Sequence, residues 1–174
     1  SEAQMGVRRA RELDLDGLVI DAEGEYYNKA QAAETYMREL RAGLGAGFPL
    51  ALSSFRWHSV HGPFPFDQFM RYCDFAMPQV YWVKNWDSAG ELRRCITEYR
   101  ARWNKPVIPT GAAFQENGWR AKPEEIQAFF NEVQSQGLPG CNFWELANSI
   151  RYGLYDTVAG LRWGEQPAPE PDGP

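Results

Sequence analysis

Five short apolar segments alternate with amphipathic helical segments along the chain, and this alternation constrains the fold more than any other feature. Each apolar segment is hydrophobic enough to be buried on both faces, which is typical of strands in a parallel sheet. Parallel strands are joined by right-handed helical crossovers, so each strand and its helix form one βα unit. The predicted strands cover residues 18–23, 48–55, 74–82, 105–114 and 141–146.

The helical segments carry apolar residues at spacings of three and four, so that one side of each helix can be buried. We predict helices over 2–13, 30–44, 65–73, 88–103, 123–136 and, more briefly, 149–161. The end of the chain, residues 164–174, is rich in proline and acidic residues, which is typical of a linker or tail. Residues 1–163 are therefore predicted to form the folded unit.

Two architectures fit alternating strands and helices: a doubly wound sheet and a (β/α)₈ barrel. No predicted strand is followed by a Gly-rich phosphate loop, which removes the main support for a doubly wound nucleotide-binding sheet. Polar and aromatic residues follow the strands instead, where a barrel places its active site. Five units are fewer than eight, so we expect a partial TIM barrel whose first three strands are absent from this chain. A further chain segment or a second copy would then cover the open sheet edges.

Two carboxylates, Asp21 and Glu23, end the first predicted strand in the stretch DGLVIDAE. Side chains two positions apart on a strand share a face, so both acids are expected to point the same way. Neighbouring carboxylates raise one another's proton affinity, and one of such a pair can then act as an acid at neutral pH. The alternative is that Asp21 caps the following turn and Glu23 is solvated.

Charge and composition exclude several classes of function. The net charge of −5 offers no basic surface to a nucleic-acid backbone. No run approaches the roughly eighteen apolar residues of a membrane span. The three cysteines form no CxxC pair, so they indicate neither a zinc site nor a disulfide framework. His58 and His61 could bind a metal, but solvated loop histidines are commoner, and we predict no metal and no cofactor.

Three motifs on alternate strands resemble those of chitinase-like (family 18) glycoside hydrolases. The stretch DGLVIDAE resembles the fourth-strand signature DGxDxDxE of that family, with Val19 in the place of the middle acid. The stretch MPQVYW resembles the strand MxYD: Tyr81 matches, Gln79 takes the methionine place and Trp82 replaces the aspartate. The stretch NFW, ending at Trp144, resembles the eighth strand. The D-x-E pair is also similar to that of family 25 muramidases.

The resemblance implies a role for each matched residue. Glu23 would protonate the glycosidic oxygen, and Asp21 would orient the N-acetyl group of the sugar or hold Glu23 in place. Tyr81 would form a hydrogen bond with the acetamido group or with the transition state, and Trp144 would stack on the sugar ring. The remaining residues predicted to bind substrate are Gln79, Ser53, Trp82 and Glu145.

The sequence leaves alternatives open for two of these residues. Trp82 could be either a sugar platform or a core residue covered by helices. Glu145 follows Trp144 on the strand, so its side chain is expected to face the helices or the loop above them, unless it serves as a second catalytic carboxylate.

The function predicted from these motifs is hydrolysis of a β-linked N-acetylated glycan, such as peptidoglycan or chitin, by the complete protein. Its partner would be a polysaccharide, and its location would be extracellular or at the cell wall. Two other readings remain open: a catalytically silent glycan-binding barrel, and a structural module of a larger assembly.

Overall fold

A five-stranded parallel sheet, curled into half of a barrel, forms the centre of the computed structural model, which describes residues 1–164. The strands of the chain are β1 (Leu18–Asp21), β2 (Leu50–Phe55), β3 (Phe75–Val80), β4 (Thr110–Ala112), β5 (Gln115–Glu116), β6 (Trp119–Arg120) and β7 (Asn142–Trp144). The parallel sheet has the order β1-β2-β3-β4-β7, and β5 and β6 form a separate antiparallel hairpin. The predicted partial TIM barrel with five βα units is confirmed.

Helices cover the outer face of the sheet. They are α1 (Glu2–Glu12), α2 (Ala30–Leu44), α3 (Phe66–Met70), α4 (Ser88–Arg102), α5 (Pro123–Ser135), α6 (Leu146–Arg151) and α7 (Tyr155–Gly160). Strand side chains that point outward, such as Ile20, Leu52 and Val80, are buried in one core with helix residues such as Leu92 and Ile126. The fold therefore has two layers, and the inner face of the sheet stays open for a site.

Gly111 shows how closely the two layers approach. A Cβ atom at this position would lie 2.8 Å from ring atoms of both Phe129 and Phe143. Real Cβ contacts are longer than this, so a side chain at position 111 would push α5 and β7 away from β4.

The structure corrects several predicted boundaries. The fourth strand is much shorter than residues 105–114, because Pro106 and Pro109 lack the N–H that a ladder needs. The segment before it makes only an isolated bridge between Val107 and Ala76. The hairpin of β5 and β6 was not predicted, although its turn is Asn117-Gly118, both with positive φ, which is a strong hairpin signal.

The C-terminal helical segment also differs from its prediction. The strand predicted over 141–146 ends at Trp144, and α6 begins at Leu146. The helix predicted over 149–161 is divided into α6 and α7 at Gly153, whose φ of 70° breaks the helical path. Apart from Gly164, the predicted tail lies outside the described residues. Within residues 1–164, each helix is too short or too polar to cross a membrane.

Candidate active site

Alternation along the strands places one set of side chains on the inner face of the sheet. Asp21, Ser53 and Met77 are paired in register across β1, β2 and β3. Gln79 is two residues beyond Met77 on the same face of β3, and it is in register with Thr110 of β4. Thr110 is in turn in register with Asn142 of β7. These two rows lie at the carboxyl ends of the strands, where barrel enzymes place their active sites.

The inner face forms a cleft of about 410 Å³. Its lining residues come from all five strands of the parallel sheet and the residues that follow them: Val19, Asp21, Glu23, Ser53, Met77, Gln79, Tyr81, Thr110, Asn142 and Trp144. In the part of the chain that the structure describes, no lysine, arginine or histidine lines the cleft. The charged groups of the cleft are therefore acidic.

One side-chain amide joins the two carboxylates. Gln79 Nε2 donates to Asp21 Oδ1 at 2.9 Å and to Glu23 Oε1 at 3.0 Å, and it lies 3.3 Å from Ser53 Oγ. An amide nitrogen carries two hydrogens, so it can serve both acids at once. Because one nitrogen contacts both groups, Asp21 and Glu23 stand side by side on the wall of the cleft.

The pKa of Asp21 is raised above its ordinary value. The largest cause is that the walls of the cleft remove part of the hydration of this accessible carboxylate, and the second is the negative charge of Glu23. Hydrogen bonds from Ser53 and Gln79 act in the opposite direction. Asp21 therefore keeps its proton to a higher pH in the cleft than a fully hydrated aspartate does.

Tyr81 is half-buried one residue beyond the end of β3, with its ring packed edge-on against Phe114 at 5.2 Å between centroids. Burial raises the pKa of the phenol, and the charges of Asp21 and Glu23 raise it further. Tyr81 therefore remains a protonated hydrogen-bond donor at neutral pH.

Trp144 supplies the large apolar surface of the cleft, and 54% of its surface is exposed. An exposed aromatic ring beside polar groups is suited to stacking on the apolar face of a sugar. Asn142 shares its face of β7, and Asn142 Nδ2 is buried without a hydrogen-bond partner among the residues described. The cleft thus combines a stacking surface, paired acids and amide donors.

Comparison with known proteins gives a fold but no sequence family. No protein-family model matches the chain, and no curated protein matches it. A chitinase from Rhizomucor miehei is similar in structure, with a TM-score of 0.60 and 15% identity over 89% of this chain and 73% of the chitinase. The chain has the fold of part of this chitinase barrel.

Two further solved structures support this assignment of the fold. A glycoside hydrolase family 18 N-acetylglucosaminidase from Paenibacillus barengoltzii has a TM-score of 0.60 at 15% identity, with 91% of this chain and 74% of that chain covered. The Bacillus cereus spore cortex-lytic enzyme SleL has a TM-score of 0.68 at 13% identity, over 90% of this chain and 52% of that one. The described half-barrel therefore corresponds to part of each of these proteins.

Six of the predicted site residues meet in the cleft of this barrel fold: Asp21, Glu23, Ser53, Gln79, Tyr81 and Trp144. Trp82 does not, because strand alternation turns it toward the helices when Tyr81 faces the cleft. Its side chain is fully buried against Phe129, and its Nε1 donates to Glu125 at 3.0 Å. Of the two readings of Trp82, the structure supports the core residue and not the sugar platform.

Glu145 has a structural role in the described chain. Its carboxylate accepts hydrogen bonds from the backbone N–H groups of Ala147 and Asn148, and so caps the first turn of α6. The side chain is hydrogen-bonded to the start of α6 and is not among the residues that line the cleft. Its prediction as a substrate-binding residue is not supported by this position.

The two histidines of the HSVH loop are packed among aromatic residues. His61 stacks on Phe55 at 3.7 Å between ring centroids and shares a 2.6 Å hydrogen bond with the Tyr27 hydroxyl. His58 lies edge-on to Trp103 and contacts the Glu98 carbonyl oxygen at 3.1 Å. Between residues 1 and 164, no group of three or more histidine, cysteine or acidic side chains is arranged to hold a metal.

Four lining residues are not among the predicted catalytic and substrate-binding residues, namely Val19, Met77, Thr110 and Asn142, although Thr110 is one of the polar residues expected to follow the strands at the active-site end. Three of them stand two positions before a predicted one: Val19 before Asp21, Met77 before Gln79 and Asn142 before Trp144. Period-two alternation along the strands was the signal that could have found them.

Proposed function

We propose that the protein is a glycoside hydrolase that cleaves a β-linked N-acetylated glycan, of the peptidoglycan or chitin type, in the cleft above the sheet. The observation that carries this proposal is the contact of one amide, Gln79 Nε2, with both Asp21 and Glu23 in a cleft bordered by Trp144. Most glycoside hydrolases use a pair of carboxylates at the scissile bond, and in substrate-assisted ones the acetamido group of the sugar takes the place of the nucleophilic carboxylate.

Glu23 is the general acid in this proposal. It lines the cleft at the carboxyl end of β1, where a glycosidic oxygen of a bound sugar can reach it. It gives a proton to the leaving oxygen as the glycosidic bond breaks, and the charge that remains on its carboxylate is stabilised by Gln79 Nε2 at 3.0 Å.

Asp21 and Tyr81 serve the N-acetyl group. In substrate-assisted glycosidases the acetamido oxygen attacks the anomeric carbon, so the enzyme needs no carboxylate nucleophile. Asp21 accepts the acetamido N–H and orients the group for attack, and the Tyr81 hydroxyl donates to the acetamido oxygen. Both side chains line the same cleft as Glu23, which supports separate roles for the three residues.

The names of the similar structures favour the same class of glycan. They are called a chitinase, an N-acetylglucosaminidase and a spore cortex-lytic enzyme. Polymers of this kind lie in cell walls and outside cells, so we place the protein there. The described half-barrel would then work with further barrel segments, from the same polypeptide or from another copy.

The test is hydrolysis of chito-oligosaccharides and of peptidoglycan by the purified protein, followed by product analysis. Glu23→Gln keeps the hydrogen bond to Gln79 but cannot give up a proton, so turnover is expected to fall at least about 100-fold. Glu116→Gln, an exposed substitution in the hairpin, is the matched control and should leave turnover unchanged. Full activity of Glu23→Gln would remove Glu23 as the acid.

A second candidate function, glycan binding without turnover, is favoured by Val19. This residue is 49% exposed in the cleft at the position where family 18 strands have their middle acid. Trp82, in place of a further family acid, is buried away from the cleft. Saturable oligosaccharide binding in calorimetry with no product after long incubation would establish this function, and measurable turnover would exclude it.

A further inference from the structure

The backbone of Tyr81 is held by a side chain from another strand. Tyr81 lies one residue beyond β3, where the sheet ladder no longer pairs its carbonyl oxygen. Arg56, the first residue after β2, donates from Nη1 to that oxygen. A carbonyl at a strand end needs such a partner when water is partly excluded. Arg56 therefore fixes the point from which the Tyr81 ring enters the cleft.

Arg56 is itself fixed by a buried carboxylate. Arg56 Nε lies 2.8 Å from Glu91 Oε2, and the Glu91 side chain on α4 is only 4% exposed. The other Glu91 oxygen accepts a hydrogen bond from Asn85 Nδ2, in the loop between Tyr81 and α4. The segment between Tyr81 and α4 is thus connected to Arg56 at two points: directly at the Tyr81 carbonyl oxygen and, through Glu91, at Asn85.

A neighbouring arginine offers a natural comparison. Trp57 lies between two guanidinium groups, with Arg56 4.3 Å and Arg94 3.7 Å from its ring centroid. Arg94 pairs with Glu98 on the surface of α4 at 3.0 Å. The two arginines therefore share the aromatic contact, and Arg56 differs by its bond to the Tyr81 backbone.

We propose that Arg56, supported by Glu91, is a positioning residue that sets the location of the Tyr81 hydroxyl beside Asp21 and Glu23. This inference rests on the proposed function for the role of Tyr81 in turnover, while the positioning itself is a property of the unliganded protein. The planar guanidinium of Arg56 forms an ion pair with Glu91 while its Nη1 donates to the Tyr81 carbonyl oxygen, an arrangement that a lysine ammonium cannot reproduce with the same geometry.

A double-mutant cycle tests the proposal on chito-oligosaccharide hydrolysis. Arg56→Met is expected to lower kcat by about 10- to 100-fold with little change in KM, because a small displacement of a group that acts in the transition state is costly. In a Tyr81→Phe background the same substitution should lower kcat by less than about 2-fold, since the hydroxyl it positions is gone. Arg94→Met, which removes the other cation from Trp57, is the control and should leave kcat unchanged.

Additive effects of Arg56→Met and Tyr81→Phe would overturn the proposal, because they would show that Arg56 acts independently of the hydroxyl. Equal losses in Arg56→Met and Arg94→Met would overturn it too, since both would then reflect the packing of Trp57. If Arg56→Met does not fold, Arg56→Lys and Glu91→Gln take its place, each with the same expected coupling to Tyr81→Phe.

An assay that needs no activity separates this inference from the proposed function. The ring signals of Tyr81 in carbon-13 NMR, assigned with Tyr81→Phe, should shift in Arg56→Met and stay in place in Arg94→Met. A shift without any hydrolysis or glycan binding by the unsubstituted protein would support the positioning and refute the function. Unmoved Tyr81 signals in Arg56→Met would refute the positioning, whatever the activity.

Discussion

Replacement of Gln79 by methionine is the most direct perturbation of the acid pair. The methionine side chain has nearly the same length and shape as glutamine, so the wall of the cleft keeps its packing. It removes the nitrogen that contacts both Asp21, at 2.9 Å, and Glu23, at 3.0 Å. We expect Gln79→Met to destabilise the protein, and to do so more at neutral pH than in acid.

The magnitude follows from the two hydrogen bonds. A hydrogen bond to a charged group contributes about 1.5–3 kcal/mol, and this figure must be reduced here because water reaches Asp21 and replaces part of what is lost. The expected loss in the free energy of unfolding is therefore about 1–2 kcal/mol at neutral pH.

The direction of the pH effect comes from Asp21. The pKa of Asp21 is higher in the folded state than in the unfolded state. The folded protein therefore loses stability as the pH rises through the folded-state pKa, because Asp21 must then ionise in the cleft. Below the unfolded-state pKa this loss is absent, since the carboxyl is protonated in both states. The Gln79 hydrogen bond lowers that pKa, so removing it raises the pKa further and makes the loss of stability with rising pH larger. At about pH 3 the penalty should fall to less than about half its neutral value.

Urea unfolding followed by tryptophan fluorescence measures the penalty, at about pH 3 and about pH 7. Gln127→Met on the exposed face of α5 is the control for the loss of a glutamine, and its small effect should not depend on pH. Two results would refute the electrostatic argument. One is an equal loss of stability for Gln79→Met at both pH values, and the other is a Gln79→Met protein that is more stable than the unsubstituted protein at neutral pH.

Three further predictions concern single side chains. Trp144→Ala should weaken oligosaccharide binding about 10- to 100-fold in calorimetry by removing the stacking surface, with little change in Tm because the ring is largely exposed. Trp82→Phe should lower the free energy of unfolding by about 1–3 kcal/mol in urea titration, because it removes one of the two donors to the buried Glu125 Oε2 and leaves only the Lys122 backbone N–H, while glycan affinity stays unchanged. Val19→Asp should shift the acid limb of the pH–activity profile upward, because a new negative charge beside Asp21 favours its protonated form.

The fold was predictable because it depends on two local properties of the sequence. One is the spacing of apolar residues within each helix and strand, and the other is the alternation of strands with helices along the chain. The Ala30–Leu44 helix, for example, has the bounds that its Ala-rich periodic pattern predicts. The fourth strand was predicted too long because apolar content was given more weight than the missing N–H groups of Pro106 and Pro109. The hairpin at Asn117-Gly118 was missed although its turn signal is present.

The acids of the candidate site were found from their spacing at the end of β1, and Tyr81 and Trp144 were found from the resemblance of their motifs to strands of family 18 glycoside hydrolases. Asp21 and Trp144 end their strands, and Glu23 and Tyr81 follow theirs. Arg56, Glu91 and Asn85 could not be found in this way. Their importance comes from contacts between β2, α4 and a loop, which the sequence does not specify until the elements are packed together. Glu145 shows that nearness to a motif can also mislead. Its carboxylate stands next to the motif residue Trp144, but it caps the first turn of α6 and does not line the cleft.

The lining of the cleft is spread across the whole sheet, from Asp21 on the first strand to Trp144 on the last. During synthesis the paired acids leave the ribosome long before their aromatic partner does, and the cleft is incomplete until β7 has docked against β4. A nascent or nicked chain that lacks its last strand would retain both acids and lose the stacking surface. Under the proposed function, sugar affinity would therefore report that the last strand has joined the sheet.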